Sequence, residues 1–314
     1  MPPIASVDVP ASTANLGSGF DCFAAALSLK LRVELYEGSE VGITLNAHGE
    51  GIPPPDADPE QNLIIRAFRE GMRAALGAPM GSGAWRLEVS SMIPAARGLG
   101  SSAAAIVGGL LLGASVGRSA PAPDSLLSQA IALEGHADNV AAAMYGGITL
   151  SVPGDAGAVT LRRFRVPEAW IPVLFIAGQQ SRTSEMRAAL PAAVPHAVAA
   201  RQAARSALLA TAVLTSDAGM LAEAMRDGLH QPFRLPHLAG AAELIDLAYE
   251  RGAAGACLSG AGPSVLAICD SPVSAHSVEK AWNAAGWLGM ATRLRFDTHG
   301  ARLASAAAPA EEPL

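Results

Sequence analysis

The sequence predicts a mixed chain of strands and helices, long enough for one large domain or two modest ones. Three observations carry that prediction. Strand-like runs recur at 4–9, 30–36, 41–47, 85–91 and 148–152 in the first half and near 158–166, 171–177 and 291–296 in the second. Most of them alternate apolar and polar residues with a period of two. Between them lie stretches that read as helices, over 62–76, 103–112, 197–214 and 217–229. A Pro153-Gly154-Asp155-Ala156-Gly157 turn separates the halves.

Composition narrows the class further. Half of the 314 residues are hydrophobic but only 4% are aromatic, so small side chains are expected to pack helices closely. Net charge is −6. The densest basic cluster, Arg162-Arg163-Phe164-Arg165, alternates with Leu161 and Val166 like the solvated face of a strand, which argues against nucleic-acid binding. Cys22, Cys257 and Cys269 are odd in number and lack CxxC spacing, so a reducing cytoplasm is expected, with neither a disulfide framework nor a zinc site. The start, Met1-Pro2-Pro3, does not read as a signal peptide. Residues 98–117 carry no charge, yet six of the twenty are glycine and three are serine, so a buried helix is expected rather than a membrane span.

Taken in order, the first strand delivers Pro10 to Asp21, a run of small polar residues and glycine in which Asn15 and Asp21 are equally turn formers or ligands. Gly51–Pro59 reads as a proline-rich surface loop, after which Asn62 stands where a helix would be capped. Pro94 to Ala104 is a glycine-serine loop opening into the charge-free helix. Gly98 and Gly100 can adopt positive φ, and Ser101 and Ser102 would present free amides at the positive end of the helix dipole. That geometry binds anions; a plain loop with a serine cap is the alternative, and the spacing is neither Walker A nor GxGxxG. Glu134, four residues before Asp138 in an apolar helix, is either part of an exposed face or a working carboxylate. His136 reads as capping or packing. Arg187 and Arg234 would ordinarily be surface charges, and 253–268 reads as strand, glycine turn, strand. Residues 304–314 are expected to be a flexible tail.

Several of these stretches resemble one family. Pro94 to Ala104 fits, at all eleven positions, the P-x-x-x-G-L-G-S-S-A-A motif of the GHMP small-molecule kinases. Pro10 to Asp21 resembles the P-A-[ST]-[ST]-A-N-L-G-x-G-F-D motif of that family's homoserine-kinase branch, and Glu134 to Val140 its E-G-H-x-D-N-V. Thr183–Pro191 resembles T-x-x-x-R-x-x-L-P, His230–Arg234 resembles H-Q-P-[YF]-R, and the 253–268 hairpin the third GHMP motif. The resemblance covers about residues 7–297. It departs at Ala24, where the branch often has glycine.

The resemblance implies a two-lobed α+β fold: a ribosomal-S5-like ATP-binding lobe over 1–155 and a ferredoxin-like lobe over 156–303 completing the substrate site. It implies that Pro94, Ala95, Ala96, Arg97, Gly98, Leu99, Gly100, Ser101, Ser102, Ala103 and Ala104 wrap the ATP phosphates, with Asn62 near the adenine. Ser102 and Glu134 would hold Mg²⁺, whose preference for few protein oxygens plus phosphates suits the pair. Asn139 would orient the acceptor hydroxyl, Asp21 would hold an α-ammonium, and Arg187 and Arg234 would grip an α-carboxylate with bidentate forks. Asn15 and Gly260 would line the substrate site. The implied reaction is phosphorylation of the side-chain hydroxyl of L-homoserine, with Asp138 leaving open whether a base takes part. Another small alcohol such as mevalonate or shikimate, or a non-catalytic sensor, are the rivals. A cytoplasmic homodimer without membrane or nucleic-acid partners is expected.

Overall fold

The structure, a computed structural model, describes residues 2–51, 59–76, 83–117, 123–154 and 158–305. Its spine is one long antiparallel ladder between β1 (Ala5–Asn15) and β2 (Gly19–Glu37). The loop expected over 10–21 shrinks to a turn at 16–18. Ala11, Ser12, Thr13 and Ala14 face Leu27, Ala26, Ala25 and Ala24 deep in the protein. Backbone buried there must find partners, and continuing the ladder supplies them.

β3 (Gly42–Gly49), α1 (Leu63–Leu76) and β4 (Ala84–Ser91) follow, with β3 and β4 parallel. Then come α2 (Ser101–Ala114), α3 (Pro123–Glu134), α4 (Asp138–Tyr145), β5 (Ile148–Pro153) and β6 (Val159–Phe164). The expected single helix through Glu134 and Asp138 is broken: Gly135 sits at φ +91°, and the two carboxylates lie at the end of one helix and the start of the next. β4 and β5 both pair with β2, β6 pairs with β5, and β11 (Arg302–Ser305) pairs with β1, completing a seven-stranded sheet. The boundary expected at 155/156 is therefore corrected. The β5–β6 hairpin keeps 159–164 in the first sheet, and the chain returns to that sheet at 302. Residues 304 and 305 are strand rather than tail. The remainder of the tail, most of the 51–59 loop and part of the 153–157 turn lie outside the described residues.

The second sheet runs β10 (Gly289–Arg293), β7 (Ile171–Ala177), β9 (Val265–Cys269), β8 (Gly255–Leu258), antiparallel throughout. α9 (Ala241–Glu250) and α10 (Pro272–Ala284) pack on it around Trp282, Phe175 and Leu244. This is the ferredoxin-like order. α5 (Thr183–Ala188), α6 (His196–Thr215), α7 (Leu221–Ala224) and α8 (Gln231–Arg234) join the lobes. The helix expected over 217–229 is reduced to a 3₁₀ turn and α7. Asp227 takes the amides of Leu229, His230 and Gln231 on its carboxylate and turns the chain instead.

α1 and α2 meet through glycine, as the alanine- and glycine-rich composition suggested. A β-carbon on Gly113 would lie 2.0 Å from the Phe68 carbonyl oxygen, and one on Gly71 2.2 Å from that of Leu110. Gly113→Val is therefore expected to destabilise by about 3 kcal/mol, read from urea unfolding; an unchanged midpoint would show that the helices can part without cost.

Candidate active site

α2 enters on Gly100, at φ +65°, after Gly98 at +76°, so both glycines take the left-handed backbone that their sequence position suggested. Ala96 does the same at +56°, an alanine in a conformation that glycine would adopt more cheaply. The first intrahelical bond is Ala104 N to Gly100 O. The amides of Ser101, Ser102 and Ala103 thus sit in the first turn without a helical acceptor, at the positive end of a fourteen-residue dipole.

Three distant segments are fastened around this mouth. Ser12 N donates to Leu99 O at 3.1 Å and Gly260 N to Ala14 O at 3.0 Å. Ser259 Oγ lies 2.7 Å from Gly98 O and 2.9 Å from Thr13 Oγ1. Ser12 Oγ donates to Asn139 Oδ1 at 2.8 Å, leaving the Asn139 amide nitrogen for another partner. There is no space for side chains at the loop glycines: a β-carbon on Gly98 would lie 2.0 Å from Ser259 O, and one on Gly100 2.0 Å from Ser12 Oγ.

The mouth opens on a cavity of about 400 Å³. On its near wall are Gly98, Gly100, Ser101, Ser102 and Glu134. Ser102 Oγ donates to Glu134 Oε1 at 2.6 Å. Burial pushes the Glu134 carboxyl up to about 7; the Ser102 bond opposes this and nearby Asp138 adds to it. Two hard oxygens side by side at an anion-binding helix mouth fit a magnesium ion. Among the described residues, no cluster of three metal-ligating side chains occurs.

At the other end of the same cavity lie Asn15, Asp21, Asn139, Arg187, Arg234 and Gly260. Asn15 and Asp21 both hold positive φ, +70° and +54°, and the Asp21 amide donates to Asn15 Oδ1 while Asn15 Nδ2 donates to Gly260 O at 2.7 Å. Arg187 forms a two-pronged pair with Asp21, at 3.0 and 2.9 Å. Arg234 is 1% exposed. Its Nε donates to Met186 O and its Nη1 reaches His230 Nδ1 and Gly260 O. His230 lies 3.2 Å from Gly17 O through Nε2, and burial pulls its pKa down to about 4, so it stays neutral and accepts from Arg234. Phe20 stacks on His230 and lies under both guanidiniums.

Not every expected contact is placed in this cavity. Pro94, Ala103 and Ala104 are buried support, and the Arg97 side chain points to Gly178 O and Glu50. Ala95 and Asn62 instead line a second, more apolar cavity of about 200 Å³ that shares Ser101 and Ser102 with the first. Asn62 caps α1, its Oδ1 accepting the amides of Ile64 and Ile65. Its amide nitrogen is what remains for a ligand.

Two family profiles match: "GHMP kinases N terminal domain" over residues 62–147 and "GHMP kinases C terminal" over 205–286. The homoserine kinase of Moorella thermoacetica is 40% identical over 268 residues, covering 84% of this chain and 86% of that one. The chain belongs to the GHMP kinase family. Within the family, the homoserine kinase of a Synechococcus strain is 37% identical over 304 residues, 94% of each chain. In fold the chain matches the crystal structure of homoserine kinase from Cytophaga hutchinsonii with a TM-score of 0.84 at 24% identity, covering 96% of this chain and 98% of that one. It also matches L. major mevalonate kinase in complex with R-mevalonate, with a TM-score of 0.70 at 15% identity over 93% and 96%. The two-lobed α+β architecture is thus the family's. Among the described residues no helix is long and apolar enough to cross a membrane; the charge-free run at 98–117 forms the fourteen-residue α2.

Sequence reading missed the residues that hold others in place: Ser12, Ser259 and His230. Serine and histidine carry no local signal for such a role, because their partners lie 127, 161 and 213 residues away. It also left Asp138 undecided. That side chain is 3% exposed and accepts the Asn139 amide at 2.7 Å, and burial pushes its pKa from 3.8 up to about 6. A carboxyl raised in the folded state costs stability fully above about pH 6, and the cost fades as pH falls toward 3.8. Asp138→Asn keeps an acceptor for the Asn139 amide without the charge. It is expected to unfold later than wild type at pH 8, by on the order of 2–3 kcal/mol, with the gain vanishing near pH 4. Urea melts across that range check this, and a gain independent of pH would refute it.

Proposed function

We propose that the chain transfers the γ-phosphoryl group of ATP to the side-chain hydroxyl of L-homoserine, the reaction that gives O-phospho-L-homoserine for threonine biosynthesis. The observation that carries this is one cavity joining an anion-binding helix mouth to an amino-acid reader: Ser101, Ser102 and Glu134 at one end, and Asp21, Asn139, Arg187 and Arg234 at the other. Curated relatives of 35–40% identity bear the name homoserine kinase, which supports the choice of acceptor.

The bond between the γ-phosphorus and the ADP oxygen breaks as a bond to the homoserine oxygen forms, and the hydroxyl proton is released to solvent. Such a transfer needs placement and charge balance more than covalent help. The free amides at the α2 mouth cradle the phosphates, and the apolar cavity beside Asn62 takes the adenine. Ser102 and Glu134 would hold Mg²⁺, which when bound offsets phosphate charge. The Asn139 amide nitrogen, free because Ser12 occupies its oxygen, orients the hydroxyl. Asp138 lines the same cavity and accepts the Asn139 amide on one oxygen, so in this scheme it holds Asn139 in place and no base is assigned.

The Asp21–Arg187 pair explains how a zwitterion is read. In the free protein each charge satisfies the other. Homoserine offers the same two charges, its carboxylate for Arg187 and its ammonium for Asp21, so binding exchanges one ion pair for two without stranding a charge. A neutral-ended alcohol cannot make that exchange, and neither can an acid lacking the ammonium. The family resemblance extends the reading to a cytoplasmic homodimer.

An ADP-release assay with homoserine, mevalonate and shikimate tests the substrate: turnover of homoserine alone is expected. Arg187→Ala should raise KM for homoserine by about 10- to 150-fold, the loss of one charge-assisted contact of 1.5–3 kcal/mol. Preference for another alcohol, or turnover of none, would reject the assignment.

Glu134 supplies a pH test. Its carboxyl must be ionised to hold a cation, and burial keeps the proton on up to about pH 7. Magnesium–nucleotide affinity is therefore expected to weaken as pH falls below 7, up to about tenfold per unit. Titration calorimetry at pH 6 and 8 reads the difference, which Glu134→Gln should abolish along with most of the affinity.

A further inference from the structure

The cavity holds a third arginine that neither the family motifs nor the reading above employs. Arg182 lines it, beside Ser181, Thr183 and Ser184. Unlike the others, its guanidinium makes no hydrogen bond or ion pair with any described residue. Arg187 is held by Asp21, Arg234 is held at Nε and Nη1, and Arg97 turns away to Gly178 and Glu50. No lysine lines the cavity among the described residues, and its one histidine, His136, has its pKa lowered by burial and by Arg187. The 10–21 segment likewise contributes no cation.

The position of Arg182 along the chain is set. Ser181 N donates to Ala96 O at 2.9 Å, so the residue before Arg182 is fastened to the phosphate-side loop two positions from Gly98. The Ser181 hydroxyl is buried and without a partner in the same wall. Five residues later Arg187 marks the amino-acid end. Arg182 therefore lines the cavity on the short segment that links the wall fastened to the α2 loop with the Asp21–Arg187 pair. The α2 amides approach a phosphoryl group from one side only. A flexible guanidinium free of carboxylates is suited to the equatorial oxygens on the other, where charge gathers during transfer.

We propose that Arg182 is a catalytic residue of this chain, its guanidinium contacting the phosphoryl group in flight and the phosphate of the product. The proposal rests on the kinase reading above. Because the side chain is exposed and unpaired, replacing it should leave the fold intact.

Arg182→Ala and Arg182→Lys are compared with wild type in the ADP-release assay with homoserine, with melting temperatures measured alongside. Arg182→Ala is expected to lower kcat on the order of 10- to 100-fold, with KM for homoserine within about threefold. Arg182→Lys should recover part of the rate, keeping the charge without the fork. Calorimetry should find affinity for O-phosphohomoserine weakened in Arg182→Ala and affinity for homoserine unchanged. A kcat within twofold of wild type overturns the proposal. So does a rise in KM for homoserine at constant kcat, which would make Arg182 a third carboxylate contact. Wild-type protein that turns over no homoserine would overturn the underlying reading, and this inference with it.

Discussion

The site depends on a set of hydrogen bonds that fasten the end of β1 and the β8–β9 turn to one helix mouth. Leu99 and Gly98 of the α2 entry, Ser12 to Ala14 at the end of β1, and Ser259 and Gly260 between β8 and β9 hold one another through backbone amides and carbonyls and the Ser259 and Thr13 hydroxyls. Backbone geometry of this kind leaves no slack. A β-carbon on Gly98 would overlap the Ser259 carbonyl, so the loop lies closer to its neighbours than any side chain permits. The result is a set of backbone amides and carbonyls held at fixed separations by one another. Pre-organised dipoles of this sort need little rearrangement when charge arrives.

Around that ring the charges are kept from collapsing onto one another. Asp21 and Arg187 neutralise each other through a two-pronged pair at the cavity wall. Arg234, almost wholly buried, would be costly there without partners. A neutral His230 and two carbonyls supply them without a carboxylate, so its positive charge is not cancelled. Glu134 and Asp138 are both raised by burial. Placing them at a helix end and a helix start, with a left-handed glycine between, keeps two like charges on separate elements.

The sheets explain why these groups meet. The first carries β1 and β2 through the centre, so the end of β1 arrives beside α2 and α4. The second presents the β8–β9 turn, whose Gly260 amide reaches the Ala14 carbonyl. The segment from 178 to 240 runs between them, and capping by Asp227 stops its helix early enough for His230 and Arg234 to face inward.

Much of this was legible in the chain. The glycine-serine entry to an uncharged helix, the alternating strands 30–36 and 85–91 and the hairpin at 253–268 are local patterns, and local patterns survive folding; the motifs named Asn15, Asp21, Ser102, Glu134, Asn139, Arg187, Arg234 and Gly260, and the fold brings all eight to one cavity. Three kinds of fact were not legible. Residues 10–15 look like loop because they are small and polar, but burial within a ladder makes them strand. Residues 159–164 and 302–305 belong to the first sheet because of pairings made far along the chain. Ser12, Ser259 and His230 matter only for what lies across from them. Sequence by itself determined that the 94–104 loop could take left-handed backbone and open an uncharged helix, since conformational freedom belongs to residue types, and its motifs supplied the expectation that Asp21, Arg187 and Arg234 serve one site. Only tertiary structure decided that Asp21 would face Arg187, that Asn139 would have its oxygen occupied, and that Arg182 would pair with none of the described residues, because proximity between distant residues is settled by packing.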